Sequence, residues 1–113
     1  MTKRTKIAES PPAAVADTLV RLGANIRTAR LRRKLRLEDI AKRVGASRFV
    51  MSDIEKGKPT TAIAAYVGAL WALGLLEDLN KVADPDRDAE GKVLERARAP
   101  KAARPRKALD NDF

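Results

Sequence analysis

Four side chains in one short stretch fall off the apolar stripe that Met51 and Ile54 define. They are Arg48, Phe49, Ser52 and Asp53. An arginine can donate two hydrogen bonds to the edge of a guanine, which is worth about 1–3 kcal/mol of discrimination. A phenylalanine can pack on a thymine methyl, and an aspartate can accept a hydrogen bond from cytosine N4. The pattern therefore predicts contacts with base edges in a DNA groove.

A glycine turn positions this stretch. Apolar periodicity predicts one helix at about 37–43 and another at 47–56, separated by the residues VGA. Gly45 suits the left-handed conformation that ends the first of these helices, and Ser47 suits the N-cap of the second. An alanine or valine at Gly45 should cost about 1 kcal/mol or more, because a Cβ disfavours that conformation. Two short helices joined by a three-residue turn predict a helix-turn-helix motif.

Three further helices are predicted from apolar residues spaced three and four apart, at about 12–34, 61–73 and 75–82. Ser10, ahead of two prolines, is the expected N-cap of the first, although Asp17 could also begin it. Thr61 is the expected N-cap of the helix at 61–73, in which Ile63 is expected to face inward. The chain is thus predicted to be all-α, with a compact five-helix domain over 12–82.

Flexible basic tails are expected at both ends of this domain. Residues 1–11 have no periodicity and form an N-terminal arm. Residues 83–113 form an extension that begins with an acidic stretch and continues with a possible short helix at 86–98. Seven cations and one acid follow between residues 92 and 107, where two prolines predict a flexible end.

Composition limits the chemistry of the chain. Its 113 residues carry a net charge of +9, which predicts a polyanionic partner, and include no cysteine and no histidine. A zinc site, a cysteine nucleophile and a histidine-based triad are therefore excluded, and we expect no enzyme activity, metal or cofactor. The longest apolar stretch, 62–76, is shorter than the roughly 18 residues of a membrane span. We predict a cytoplasmic protein that lies on the bacterial nucleoid when it is bound to DNA.

The predicted helices resemble the phage-repressor type of helix-turn-helix, the Xre-like family, over about residues 20–80. The sequence LGANIRTARLRRKLRLEDIA, at 22–41, is similar to the first helix of that family and the start of its second. The ending GALWALGL, at 68–75, is also similar. Further matches are Ala41, Gly45, Ser47, Ile54, Glu55 and Gly57. In this family the second helix lies across the DNA backbone and the third enters the major groove.

The resemblance implies a role for each matching residue. The base-facing positions are Arg48, Phe49, Ser52 and Asp53, and the phosphate-facing ones are Ser47, Lys56, Lys58 and Thr60. Arg30 and Glu55 match a buried ion pair that ties the first helix to the recognition helix. The implied core is Leu22, Ile26, Ile40, Ala41, Val44, Met51, Ile54, Val67 and Leu73. Where the family has a small capping residue followed by glutamine, this chain has Arg36 and Leu37, so the phosphate contact passes to Arg36.

Several of these side chains also have a simpler interpretation. Arg48 and Lys56 could be solvated surface, and Asp53 could pair with Lys56 one turn away. Phe49 could cover the edge of the core or a partner. Trp71 falls off its apolar stripe, and it is either a core residue or an anchor of a partner or dimer interface. Leu76 and Leu79 are candidates for the same interface.

The predicted function is transcriptional repression by a homodimer on a palindromic operator, since dimers of this fold place two recognition helices about 34 Å apart. Residues 83–107 resemble the extension of antitoxins in Hip-type toxin–antitoxin pairs, which restrain a HipA-like serine/threonine kinase and repress their own operon. The alternative is a stand-alone or prophage-type repressor. A membrane- or RNA-associated basic protein is a third possibility, but no platform of stacked aromatic and basic residues supports RNA binding.

Overall fold

The structure is a computed structural model that describes residues 5–100, and every regular element in that range is helical. This finding confirms the predicted all-α class. The elements are α1 (Lys6–Glu9), α2 (Ala13–Arg32), α3 (Leu37–Val44), α4 (Arg48–Glu55), α5 (Ile63–Ala72), α6 (Leu76–Leu79), a 3₁₀ turn (Pro85–Arg87) and α7 (Ala89–Arg98). The chain divides into two compact units after Leu79, three residues before the predicted domain end.

The first unit is built around α4, which packs against α2, α3 and α5. The fully buried side chains at its centre are Ile26, Ile40, Met51 and Ile54. Each contributes about 1.5–3 kcal/mol relative to an exposed side chain. Of the other expected core residues, Ala41 and Leu73 are buried, Leu22 and Val44 pack at the edge of the core, and Val67 is half-buried. The core therefore holds one face of α4 firmly and leaves the other face outside.

Helix α2 lies unusually close to the end of α4, and Gly23 makes this possible. A Cβ at Gly23 would lie 2.5 Å from the carbonyl oxygen of Ile54 and 2.7 Å from that of Glu55. A Cβ at Gly57, on the other side of the contact, would overlap the backbone of Leu19. Gly23 lowers the helix propensity of α2. It is nevertheless required here, because the backbones of α2 and α4 approach each other so closely.

The N-terminus of α3 is stabilised by an acidic residue inside the helix, because Arg36 at the N-cap has no acceptor to offer. The carboxylate of Asp39 accepts a hydrogen bond of 2.7 Å from the backbone N–H of Arg36, and its other oxygen lies 3.6 Å from the guanidinium. The hydrogen bond from this backbone N–H lowers the pKa of Asp39 below its ordinary value. One half of a capping box therefore replaces the small polar cap that the family resemblance implied.

The expected cap at Ser10 is wrong, because residues within the predicted arm form a helical turn of their own. Helix α1 is capped by the side chain of Thr5 and ends at Glu9, so that Ser10 is its C-cap. Helix α2 then begins after Pro12, and Asp17 lies inside it. Residues 1–4 and 101–113, the outer ends of the predicted tails, lie outside the described residues.

The expected start of α5 is also wrong. Its N-cap is Ala62, without a side-chain hydrogen bond, and Thr61 belongs to the preceding turn, where its backbone N–H donates to the carbonyl of Lys58. Ile63 was expected to face inward but is 77% exposed. The reason is that the first turn of α5 extends past the core, which begins at Tyr66.

The second unit lacks a core of its own within residues 80–100, where every side chain is exposed or half-buried. Val82, expected in the fifth helix, is exposed, since α6 ends at Leu79 and Ala83 adopts a positive φ of 61° that a helix cannot continue. The helix predicted at 86–98 is interrupted at Asp88, whose side chain accepts from the N–H of Gly91 and begins α7 anew. Within residues 80–100, the structure of this unit therefore depends on hydrogen bonds at helix ends such as that of Asp88, rather than on a buried core.

Candidate nucleic-acid interface

The turn at Gly45 ends α3, and α4 begins after it as a separate helix. Gly45 adopts φ 78° and ψ 32°, and its N–H donates to the carbonyl of Ala41. A Cβ at Gly45 would meet nothing within 4 Å, so the site requires glycine for its backbone conformation alone. The hydroxyl of Ser47 then accepts from the N–H of Val50 at 3.2 Å and caps α4. The turn and the cap lie where the sequence predicted them.

The outer end of α4 presents a cation and an aromatic ring. Phe49 is 73% exposed, and Arg48 is exposed beside it. The guanidinium carbon of Arg48 lies 5.6 Å from the centroid of the Phe49 ring, within the range of a cation–π contact. Met51 and Ile54 on the opposite face are fully buried. Over its eight residues, the helix thus has one face anchored in the core and one free face exposed to solvent.

Ser52 and Asp53 lie further along α4 and are half-buried. Asp53 pairs with Lys58, at 3.3 Å between Oδ1 and Nζ, rather than with Lys56, the alternative partner that helical spacing offered. The chain turns back after α4 through Gly57, at φ 72°, and the N–H of Lys58 donates to the carbonyl of Asp53. This turn brings Lys58 to the carboxylate, while Lys56 stays exposed.

The predicted phosphate-contacting residues all lie on the surface. They are Arg36, Ser47, Lys56, Lys58 and Thr60. Arg36 precedes α3, Ser47 precedes α4, and the other three follow α4. Four of the five therefore lie near the two ends of α4, and Arg36 lies at the start of α3. Three of the five are cations, whose charge favours contact with a phosphate.

An almost buried ion pair ties α2 to the end of α4. Arg30 donates from Nε to one oxygen of Glu55 at 2.6 Å and from Nη2 to the other at 3.0 Å. Its Nη1 donates to the carbonyl of Leu35 at 2.8 Å. Only 10% and 8% of the two side chains are exposed. The hydrogen bond to Glu55 raises the pKa of Arg30 above its ordinary value.

Two contributors near α4 were missed from the sequence. Tyr66 donates its hydroxyl to the carbonyl of Lys58 at 2.8 Å, and burial, followed by the charge of Asp53, raises its pKa. A tyrosine within an otherwise apolar helix needs a partner for its hydroxyl, and this need was the available clue. Arg27 lies with Nε 4.0 Å from Glu55 and keeps most of its side chain in solvent. It adds an exposed cation near the end of α4.

The candidate interface residues lie on α5 and α6. Trp71 is 58% exposed, whereas Leu76 and Leu79 are half-buried. Trp71 shares α5 with the exposed Ile63, and this helix carries no charged residue. An exposed tryptophan on an uncharged helix is typical of a protein–protein contact.

A family model described as a helix-turn-helix domain matches residues 21–80, which span α4 and the helices that hold it. No curated protein and no solved structure matches this chain. Within residues 5–100, none of the helices has both the length and the apolar character needed to cross a bilayer.

Proposed function

Because the chain belongs to the helix-turn-helix domain family, we propose that it is a sequence-specific transcriptional repressor that reads its operator with α4. The observation that carries this proposal is the division of α4 into two faces. Met51 and Ile54 fix the helix to the core, while Arg48 and Phe49 stand free at its outer end. A helix held in this way can enter a major groove without losing its own packing.

The charges around α4 divide into two roles. Arg48 donates to guanine and Asp53 accepts from cytosine N4, so these side chains select sequence together with Ser52. Exposed cations at the ends of the helix, such as Lys56, neutralise phosphates and set affinity at any sequence. Bound to its operator, the protein lies on the bacterial nucleoid.

Replacing Arg48 with alanine should lower affinity for the operator about 5- to 150-fold, the equivalent of one good guanine contact. The operator is first defined by selecting bound duplexes from a random library, and the variants are then compared by band shift. Arg87→Ala, which removes a cation from the second unit, is the matched control and should bind as the wild type does. Equal affinity of Arg48→Ala and wild type for the operator would show that Arg48 does not read a base.

We propose that two copies bind a palindromic operator, since one α4 reaches only a short half-site and a dimer places two of them about 34 Å apart. The uncharged helix α5, with Trp71 and Ile63 exposed, is the surface that we assign to the dimer. A chain of net charge +9 repels its own copies, and an uncharged surface is where this repulsion is weakest. Leu76 and Leu79 extend the surface along the chain.

Trp71→Ala should weaken the dimer about 30-fold or more, as expected for a central tryptophan anchor. Sedimentation over a range of concentrations measures this change. Phe49→Ala removes another exposed aromatic ring, from α4, and should leave the dimer unchanged. An unaltered dimer in Trp71→Ala would move the interface elsewhere.

A second, narrower role is supported by the second unit. Helix α7 exposes Val93 and Leu94, and the resemblance of residues 83–107 to Hip-type antitoxins suggests that a HipA-like kinase covers them. In this role the protein represses its own operon and restrains the kinase. The product of a neighbouring kinase-like reading frame should then co-purify with the full chain, and deletion of 83–113 should release it without loss of operator binding. Absence of co-purification favours the stand-alone or prophage-type repressor.

A further inference from the structure

Arg48 and Phe49 are consecutive residues at the start of α4, yet their side chains lie against each other. The guanidinium carbon is 5.6 Å from the centroid of the ring. A ring that is 73% exposed gains little from burial in the free protein. The contact with Arg48 therefore favours one orientation of the ring over the others that an exposed side chain can adopt. It also restricts the rotamers of the arginine.

The contact leaves both side chains available to a ligand. A guanidinium has five N–H donors in its plane, and a ring stacked over one face does not block the edge of that plane. Phe49 has no polar atom, so its exposed edge can only pack on an apolar group. In the major groove the apolar group that varies with sequence is the C5-methyl of thymine.

The distance between the two groups limits which bases they can reach together. Successive base pairs are stacked about 3.4 Å apart, so two steps span about 6.8 Å. The 5.6 Å between the guanidinium and the ring centroid is shorter than two steps. If the guanidinium lies level with a guanine, the neighbouring base pair is therefore within reach of the ring.

We propose that Arg48 and Phe49 form a single reading unit for a two-base-pair step. The guanidinium binds a guanine, and the ring packs on the thymine methyl of an adjacent A·T pair. This inference rests on the proposed function and adds to it the composition of one operator step. Because each side chain positions the other, their contributions to binding are coupled.

The first test uses the duplex selected by the wild-type protein, synthesised with deoxyuridine in place of the thymine next to the guanine. Loss of the methyl group should weaken wild-type binding about 3- to 5-fold. Phe49→Ala should bind the thymine duplex correspondingly less well and should not respond to deoxyuridine. Since Phe49 is exposed, the variant should keep the thermal unfolding midpoint of the wild type, which checks its fold.

The second test measures coupling. The double variant Arg48→Ala/Phe49→Ala should lose less affinity than the product of the two single losses. Phe49→Leu should still respond to deoxyuridine, because leucine can cover a methyl, but it should lose part of the preference for guanine.

The outcomes separate this inference from the proposed function. A wild-type protein that ignores deoxyuridine, or independent effects of the two single variants, would overturn the reading unit while repression by α4 stands. A random library that yields no enriched sequence would overturn both.

Discussion

Replacing Glu55 with alanine lowers the free energy of unfolding by about 3–5 kcal/mol, because it leaves the guanidinium of Arg30 almost buried and without its counter-charge. Arg30 donates two hydrogen bonds to Glu55, of 2.6 and 3.0 Å, and its third bond goes to the carbonyl of Leu35. Urea unfolding followed by circular dichroism measures the loss. Glu77→Ala, the removal of an exposed acid from α6, serves as the comparison and should change stability by less than about 0.5 kcal/mol.

A double variant distinguishes the effect of an unpaired buried charge from the effect of lost packing. Arg30→Met/Glu55→Leu removes both charges and fills a similar volume, so it should recover most of the stability that Glu55→Ala loses. A double variant as unstable as Glu55→Ala would show that the loss comes from packing around α2 and α4 rather than from an unpaired charge.

The second large effect is expected at Gly23. Alanine there gains about 1 kcal/mol in helix propensity, but its Cβ meets three backbone atoms at 2.5–2.8 Å. Backbone cannot move aside as the end of a side chain can, so α2 must separate from α4 at a cost of about 3 kcal/mol. The net loss is about 2 kcal/mol, which lowers the melting midpoint of a unit this small by roughly 8–16 °C.

Gly45→Ala is the matched comparison. It introduces the same methyl into open space, at a residue whose φ is 78°. Its cost is about 1 kcal/mol of backbone strain. Differential scanning calorimetry should therefore rank Gly23→Ala as clearly less stable than Gly45→Ala. The reverse order would mean that α2 and α4 can separate easily.

The elements next to α4 were predictable because their chemistry is local. Gly45 and Ser47 act within a few residues of themselves, one through its own φ and the other through the N–H of Val50. The buried stripe of Met51 and Ile54 follows from helical periodicity alone. Local rules of this kind placed the helix-turn-helix motif and much of its core.

What sequence reasoning missed depends on contacts between segments. Helix propensity alone makes Gly23 look unfavourable in α2, because the backbone that it contacts lies more than thirty residues away. Helical spacing offered Lys56 as an alternative partner for Asp53, but the chain turns at Gly57 and brings Lys58 to the carboxylate instead. Ser10 and Thr61 are good capping residues, yet neighbouring turns use both. Ile63 shares the periodicity of the core but lies beyond its end.

The separation of α4 into an anchored and a free face also bears on how such a protein can diverge. Arg48 and Phe49 contribute nothing to the buried cluster around Met51 and Ile54. Duplicated genes could therefore acquire new operator preferences by exchanging these two residues, with no compensating change in the interior. Descendants that share one interior could in this way control unrelated promoters in the same cell.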